Sequence, residues 1–471
     1  NDASIGFYGR KSTHYSDFKI NQAKDPSFFN TFNNIIVADS ANDKDDAYWN
    51  NARPDTLTEN EARIYKMVDT IQQLPAFRTY VDIITLFVTG YKEIKYVDIG
   101  PYFTFFSFNQ IEGMRFRLGG KTNSDFSTKL ELSGYAAYGI RDNQWKYQGA
   151  SRIFLSDKPR QILSLSHRRD LEQLGQSANA WRTDNILSSV FRRNPNNQLN
   201  AFEEYKLGYD IEYFPGLSTS LTFNRRDIWS VGTIPFQRIT NEGVVQDVNR
   251  VKTSELRFST RIAIGEKFIN GELDRVSLGT KNPTIRAEAA FGIKGFLSGE
   301  HVYQRASINI QDRIAINPIG HSNITIEGGK IWGTLPFPLL QLYSGNETYF
   351  YDSYAFNLMN FYEFVGDEWL TLFWTHHFNG LFFNKVPLFR KLKWREVATF
   401  RGAVGRLSDK HRAEMEFPDD LYTLDKPYME TGVGIENIFN LFRVDALWRL
   451  TYLDNPDVVP FGIRTTFQID F

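Results

Sequence analysis

The chain has 471 residues, with 54 basic and 55 acidic side chains and a net charge of −1, which gives no case for a nucleic-acid partner. It contains no cysteine, so disulfides, thiolate catalysis and cysteine-held zinc are excluded. Mean hydropathy is −0.39. No apolar run reaches the roughly 18 residues of a transmembrane helix, yet a barrel needs no such run, because its strands are polar on the lumen face.

The sequence begins at Asn1 with neither an initiator Met nor an export signal, so it is expected to be a processed product that has lost its signal. Residues 1–57 are rich in Asn, Asp and aromatics without a sustained period, and an extended periplasmic linker is expected there. Thr58-Glu59-Asn60-Glu61 is a capping-box start for a helix to about Leu74, closed by Pro75, with Ile64, Met67, Val68 and Ile71 on one face. The more apolar run Tyr80–Val88 fits a second helix or a strand and is too short to cross a membrane as a helix. Residues 58–111 are therefore expected to form a helical segment at or inside the periplasmic side of a barrel made by 112–471.

From Glu112 onward the hydrophobic period is two. In 204–213, Tyr205, Leu207, Tyr209, Ile211 and Tyr213 alternate with Glu204, Lys206, Asp210 and Glu212. In 442–452, Phe442, Val444, Ala446, Trp448, Leu450 and Tyr452 oppose Arg443, Asp445, Arg449 and Thr451. The chain closes on Phe461, Ile463, Thr465, Phe467, Ile469 and Phe471 against Gly, Arg, Thr, Gln and Asp. This period excludes helix for these segments. A soluble antiparallel sheet also alternates. The runs here are about 10 residues or longer against an ordinary 5–6, the length a tilted strand needs to cross a bilayer. Aromatics make up 15% of the chain, and Trp145, Tyr213, Trp229, Trp394 and Tyr452 sit near run ends, where a membrane girdle lies.

The fold class expected is all-β: a transmembrane antiparallel β-barrel of about 16 strands preceded by a short helical or irregular segment. Of the candidate strands, 184–192 alternates least and is set aside, while 350–362 is retained. Anchoring the C-terminus in the periplasm, with the N-terminus beside it, puts 408–427 and 264–282 outside the cell and makes 438–440 a periplasmic turn.

Certain residues carry a resemblance. Asn109-Gln110-Ile111-Glu112-Gly113-Met114-Arg115 resembles the first barrel strand of the bacterial surface antigen superfamily, the barrel-assembly and two-partner-secretion proteins of outer membranes. Gly432-Val433-Gly434, Arg443-Val444-Asp445 and the closing strand resemble its last three strands. Tyr48-Trp49, Arg53-Pro54, Leu57-Thr58, Glu61, Leu335-Pro336 and Phe356-Asn357-Leu358-Met359 resemble a subgroup in which a carboxypeptidase-regulatory-like domain precedes the barrel. The superfamily's Arg-Gly-aromatic tip, on a loop folded back into the lumen, is missing: Arg401-Gly402 is followed by Ala403 within a strand.

The resemblance implies that strands 112–120 and 460–471 pair to close the barrel, with Gly113, Gly119, Gly120, Gly462 and Phe471 at the seam. Glycine packs nothing across a strand pair, so such a seam is weak, and an opened edge offers backbone groups to a client strand. The alternative is that these glycines make room for lumen side chains or a bulge. No catalytic, cofactor or metal residues stand out. The adjacent His376 and His377 face opposite sides of a strand and cannot share a metal. Three functions fit: a barrel that inserts, assembles or exports outer-membrane or surface proteins, a passive or partly plugged solute channel, and a scaffold subunit of an envelope complex. The partners expected are outer-membrane lipid, client proteins and other envelope subunits, in a bacterial outer membrane.

Overall fold

The computed structural model describes residues 44–53, 56–177, 189–239 and 244–467, and before them residues 15, 18 and 20–23. The chain divides into two units, Asn1–Ile84 and Thr85–Phe471.

In the first unit, α1 (Asp46–Ala52) starts where the Asp45 carboxylate accepts the Tyr48 N–H at 2.8 Å, so the stretch 1–57 is not wholly extended. The capping box is formed: the Thr58 N–H donates to Glu61 at 2.8 Å and the Glu61 N–H to the Thr58 hydroxyl at 3.4 Å, opening α2 (Glu59–Gln73). That helix buries none of its side chains, and Ile64, Met67, Val68 and Ile71 stand exposed. The apolar run beyond it is helix, α3 (Pro75–Thr89), started by a proline whose missing N–H costs nothing in a first turn. Helix stops at Thr89. Residues 92–109, expected within a helical segment, instead form the short strands Lys92–Ile94, Val97–Ile99 and Phe106–Asn109.

The second unit is an antiparallel meander. Its long strands are β1 (Gly113–Thr122), β2 (Leu130–Gly139), β3 (Trp145–Asp157), β4 (Arg160–Glu172), β5 (Asn200–Phe214), β6 (Leu217–Ser230), β7 (Val251–Ile262) and β8 (Thr284–Gly292). They continue as β9 (Tyr303–Ala315), β10 (His321–Gly333), β11 (Glu368–His377), β12 (Arg395–Arg406), β13 (Tyr428–Ile438), β14 (Phe442–Arg449) and β15 (Phe461–Phe467). Each pairs with the next, from β1–β2 to β14–β15.

The two faces of this sheet are inverted relative to a soluble protein. On β1, Met114, Phe116 and Leu118 are exposed while Arg115 and Arg117 are buried; on β15, Ile463 is 55% exposed and Arg464 only 2%. A soluble sheet hides its apolar face from water, because each exposed leucine-sized side chain forfeits about 1.5–3 kcal/mol of transfer free energy. Lipid removes that cost, and a lumen accommodates the charges. The fold is thus of the transmembrane β-barrel class.

Three expectations are corrected. Residues 350–362 are not a strand; they belong to the 334–367 connection between β10 and β11, which turns inward. Removing that strand reverses the parity of everything before it, so 264–282 lies at the same end as 438–440 and opposite 408–427. Strand 113–122 does not offer an edge to 461–471. One edge is taken by β2, and the other pairs with Val97–Ile99 and Phe106–Asn109, joined across the intervening turn by the Gly100 N–H to Gly119 O and the Arg117 N–H to Phe105 O. Residues 97–109 therefore serve as a broken strand ahead of β1. Among the described residues no ladder joins it to β15; Phe471 and most of 184–192 lie outside the described residues.

Candidate functional site

The connection 334–367 follows β10 and is far more apolar than a water-exposed loop, which is why it packs. Leu335, Phe337, Phe356, Leu358, Met359 and Phe364 are completely buried. The Tyr362 hydroxyl accepts a bond from Asn200 of β5, while the stretch 356–358 bonds to β13, β14 and β15. A segment that touches β5 on one side and β13–β15 on the other lies inside the curve of the sheet as a plug. Burial pushes the Tyr362 phenol well above its ordinary pKa, so it stays protonated.

Asn357 is the hub of the plug tip. Its side-chain oxygen accepts from Asn346 at 2.7 Å and from the Asp352 N–H at 2.9 Å, and its own amide donates to Asp352 O at 3.0 Å. The tip is then held to the wall by charge. The N–H groups of Asn357 and Leu358 donate to the two Glu430 oxygens at 2.8 and 3.0 Å, and Arg464 donates to Asn357 O at 2.8 Å. Arg449 forks onto Glu363 at 2.5 and 3.0 Å. Tyr351 stacks its ring on the guanidinium groups of Arg443 and Arg401, at 4.5 and 4.8 Å. A loop folded back into the lumen is therefore present without an Arg-Gly-aromatic tip. Here the arginines stand on the wall and the tip supplies backbone amides and carbonyls.

The plug also reaches the edge of β15. Thr465 turns its backbone groups away from β14: its N–H donates to Tyr349 O at 3.0 Å and its carbonyl accepts the Tyr351 N–H at 2.8 Å. Residues 347–349 pair in turn with 191–193, through Arg193 N–H to Glu347 O at 2.7 Å and Tyr349 N–H to Phe191 O at 3.0 Å. The backbone position at which a closing ladder would bond Thr465 is occupied by the plug.

The described seam residues named from sequence, Gly113, Gly119, Gly120 and Gly462, are not brought together. Gly462 faces the plug, where an added Cβ would sit 2.9 Å from Leu358 and 2.8 Å from Arg464. Gly120 lets Asp98 O approach to 2.7 Å of the same hypothetical atom, Gly119 faces Tyr135, and Gly113 has φ +66° in the turn before β1. All four positions demand a small side chain for local reasons.

The resemblance positions fall into two buried clusters. In the first, Arg115 bridges Glu112 at 3.0 Å and Asp170 at 2.7 Å, Lys146 reaches Glu112 at 2.8 Å, and Asn109 donates to Glu112 at 2.7 Å. In the second, Arg443 forks onto Asp445 at 2.7 and 2.8 Å, and Gly434 leaves the space that the Asp445 carboxylate fills. Gly432 similarly faces Thr399 and Leu447. Asp170, Lys146, Glu430, Arg449 and Arg464 were missed as site residues, since each is one more polar residue on an alternating strand. His377 bonds Glu436 at 2.8 Å and stacks on His321, whereas His376 bonds Ser322 and Ile319 O on the other face. Among the described residues, no group of three or more His, Asp or Glu is placed to hold a metal.

The profile of a family of unknown function, the DUF5686 C-terminal domain, matches residues 87–411, well over half of the chain. The chain belongs to the DUF5686 family. A search of curated proteins finds no match. Among solved structures, the chain is similar to BamA from Haemophilus ducreyi lacking POTRA domains 1–3, with 11% identity, TM-score 0.48, and coverage of 80% of this chain and 71% of that one. It is similar to CdiB from Escherichia coli at 10% identity and TM-score 0.42, covering 79% and 62%. OccK11 from Pseudomonas aeruginosa also matches, at 12% identity and TM-score 0.30, covering 75% and 87%.

Proposed function

We propose that this DUF5686 barrel sits in a bacterial outer membrane and assists the insertion, assembly or export of other outer-membrane or surface proteins at the edge of β15 that its own loop caps. The observation that carries the reading is Thr465, whose edge N–H and carbonyl are satisfied, among the described residues, by a loop rather than by a neighbouring strand. A strand edge capped in this way is protected from aggregation, yet a client strand can exchange for residues 349–351, keeping both hydrogen bonds. Loop lengths support the orientation. The connections 173–199, 231–250, 334–367 and 407–427 share one end, and the turns 158–159, 215–216, 316–320 and 439–441 share the other together with the longer 263–283 and 378–394, so the two longest connections, 334–367 and 173–199, lie at the end taken as extracellular. Both ends of the sheet's chain, near residues 97 and 467, lie at the short-turn end.

The test is depletion of the native protein with complementation by Thr465→Pro. Proline removes the edge-facing N–H, which the β14 ladder does not use. The expected result is an inserted barrel that fails to restore the outer-membrane proteome. Full restoration would refute the reading. A solute channel is the second reading, favoured by a lumen cavity of about 1000 Å³ lined by Arg257, Arg286, Arg305, Glu288 and Glu327. A large conductance from the purified barrel would select it.

A further inference from the structure

The connection between β11 and β12, residues 378–394, is one-sidedly basic in a near-neutral chain. It holds Lys385, Arg390, Lys391 and Lys393 and not one Asp or Glu. All four cations are exposed, and among the described residues none forms an ion pair. The nearest carboxylate in sequence, Glu396, is engaged by the Phe382 and Phe383 N–H groups. The same segment exposes Phe382 (53%) and Leu388 (61%), together with Val386 and Leu392.

This segment is built rather than loose. Phe383 packs on Phe389 with ring centroids 4.5 Å apart, Phe389 stacks on Trp394 at 5.6 Å, and the short helix α4 (Pro387–Leu392) ends at Lys393 in the left-handed conformation with φ 58°. Asn437 of β13 donates to Lys393 O at 2.7 Å, fixing the segment to the strand rim. Water alone does not favour four unpaired cations interleaved with four exposed apolar side chains. A bilayer interface does, since apolar groups enter the acyl boundary while the long basic side chains reach the phosphates.

We propose that residues 378–394 form an interfacial foot that binds the anionic headgroups of phospholipid beside the barrel. This requires only the membrane-barrel fold and is independent of the role of the β15 edge. The test is native mass spectrometry of the full chain in micelles doped with phosphatidylglycerol or phosphatidylcholine. Wild type should retain several-fold more of the anionic lipid, and the combined variant Lys385→Gln, Arg390→Gln, Lys391→Gln, Lys393→Gln should bind the two equally while remaining heat-modifiable as a folded barrel. An unchanged preference in the variant, or none in wild type, overturns the proposal. So does loss of a co-purifying acidic protein with lipid retention intact. Should the variant not fold, wild type labelled with photoreactive phosphatidylglycerol decides: adducts within 378–394 support the foot, and adducts confined to other segments overturn it.

Discussion

Glu430 does three jobs in a dry place: it accepts the Asn357 and Leu358 N–H groups, accepts the Tyr428 hydroxyl at 3.1 Å, and faces Arg401 at 3.7 Å. Replacing it with alanine leaves two amides and a guanidinium unpaired in a buried site, a class of change that costs about 3–5 kcal/mol. Urea titration of the vesicle-inserted Glu430→Ala barrel should show that loss, and a change within about 0.5 kcal/mol would mean that the plug tip is not held there. Gly462 tests the same contact from β15. A valine there would clash with Leu358 and Arg464, so Gly462→Val should displace the tip and expose 345–360 to protease. Gly149→Ala is the control, since no atom lies within 4 Å of its added Cβ, and it should leave protease resistance unchanged.

At the level of elements, the strands were legible because lipid outside and a charged lumen inside impose a strict period of two on nearly every segment. Met114, Phe116 and Leu118 against Arg115 and Arg117 show the rule surviving in three dimensions. The rule fails where a segment is apolar for another reason. Residues 350–362 are aromatic because they pack inside the barrel, and period counting cannot tell a plug from a buried strand. That one error reversed the side assigned to 264–282. The broken strand 97–109 escaped notice for the opposite reason, as the turn at Tyr102–Thr104 interrupts its alternation. In the candidate site, the charged wall was visible only as polarity. Which of many Arg and Glu residues meet depends on register between strands far apart in sequence, such as Arg115 with Asp170. The tip residues 356–359 did stand out, through their resemblance to relatives and not through any local chemistry.

The whole sheet combines an apolar belt, an interior narrowed by inward-folded segments and one strand edge bonded to its own loop. Two inward elements restrict the lumen: the plug at the long-loop end, and at the other end the hairpin 268–277, where Asp274 meets Arg152 at 2.9 Å and Leu273 packs on Phe154 and Ile162. In planar bilayers the intact barrel should therefore conduct weakly, and deletion of 345–360 should raise the conductance. High conductance from the intact chain would favour the channel. The measurement that bears most directly on the central claim is site-specific photocrosslinking in growing cells. A photoreactive residue at position 463, on the lipid-facing side of β15, is compared with one at position 207 in the middle of the meander. Newly made outer-membrane proteins should be trapped at 463 and not at 207; equal trapping at both positions, or none at 463, would contradict a client-handling edge.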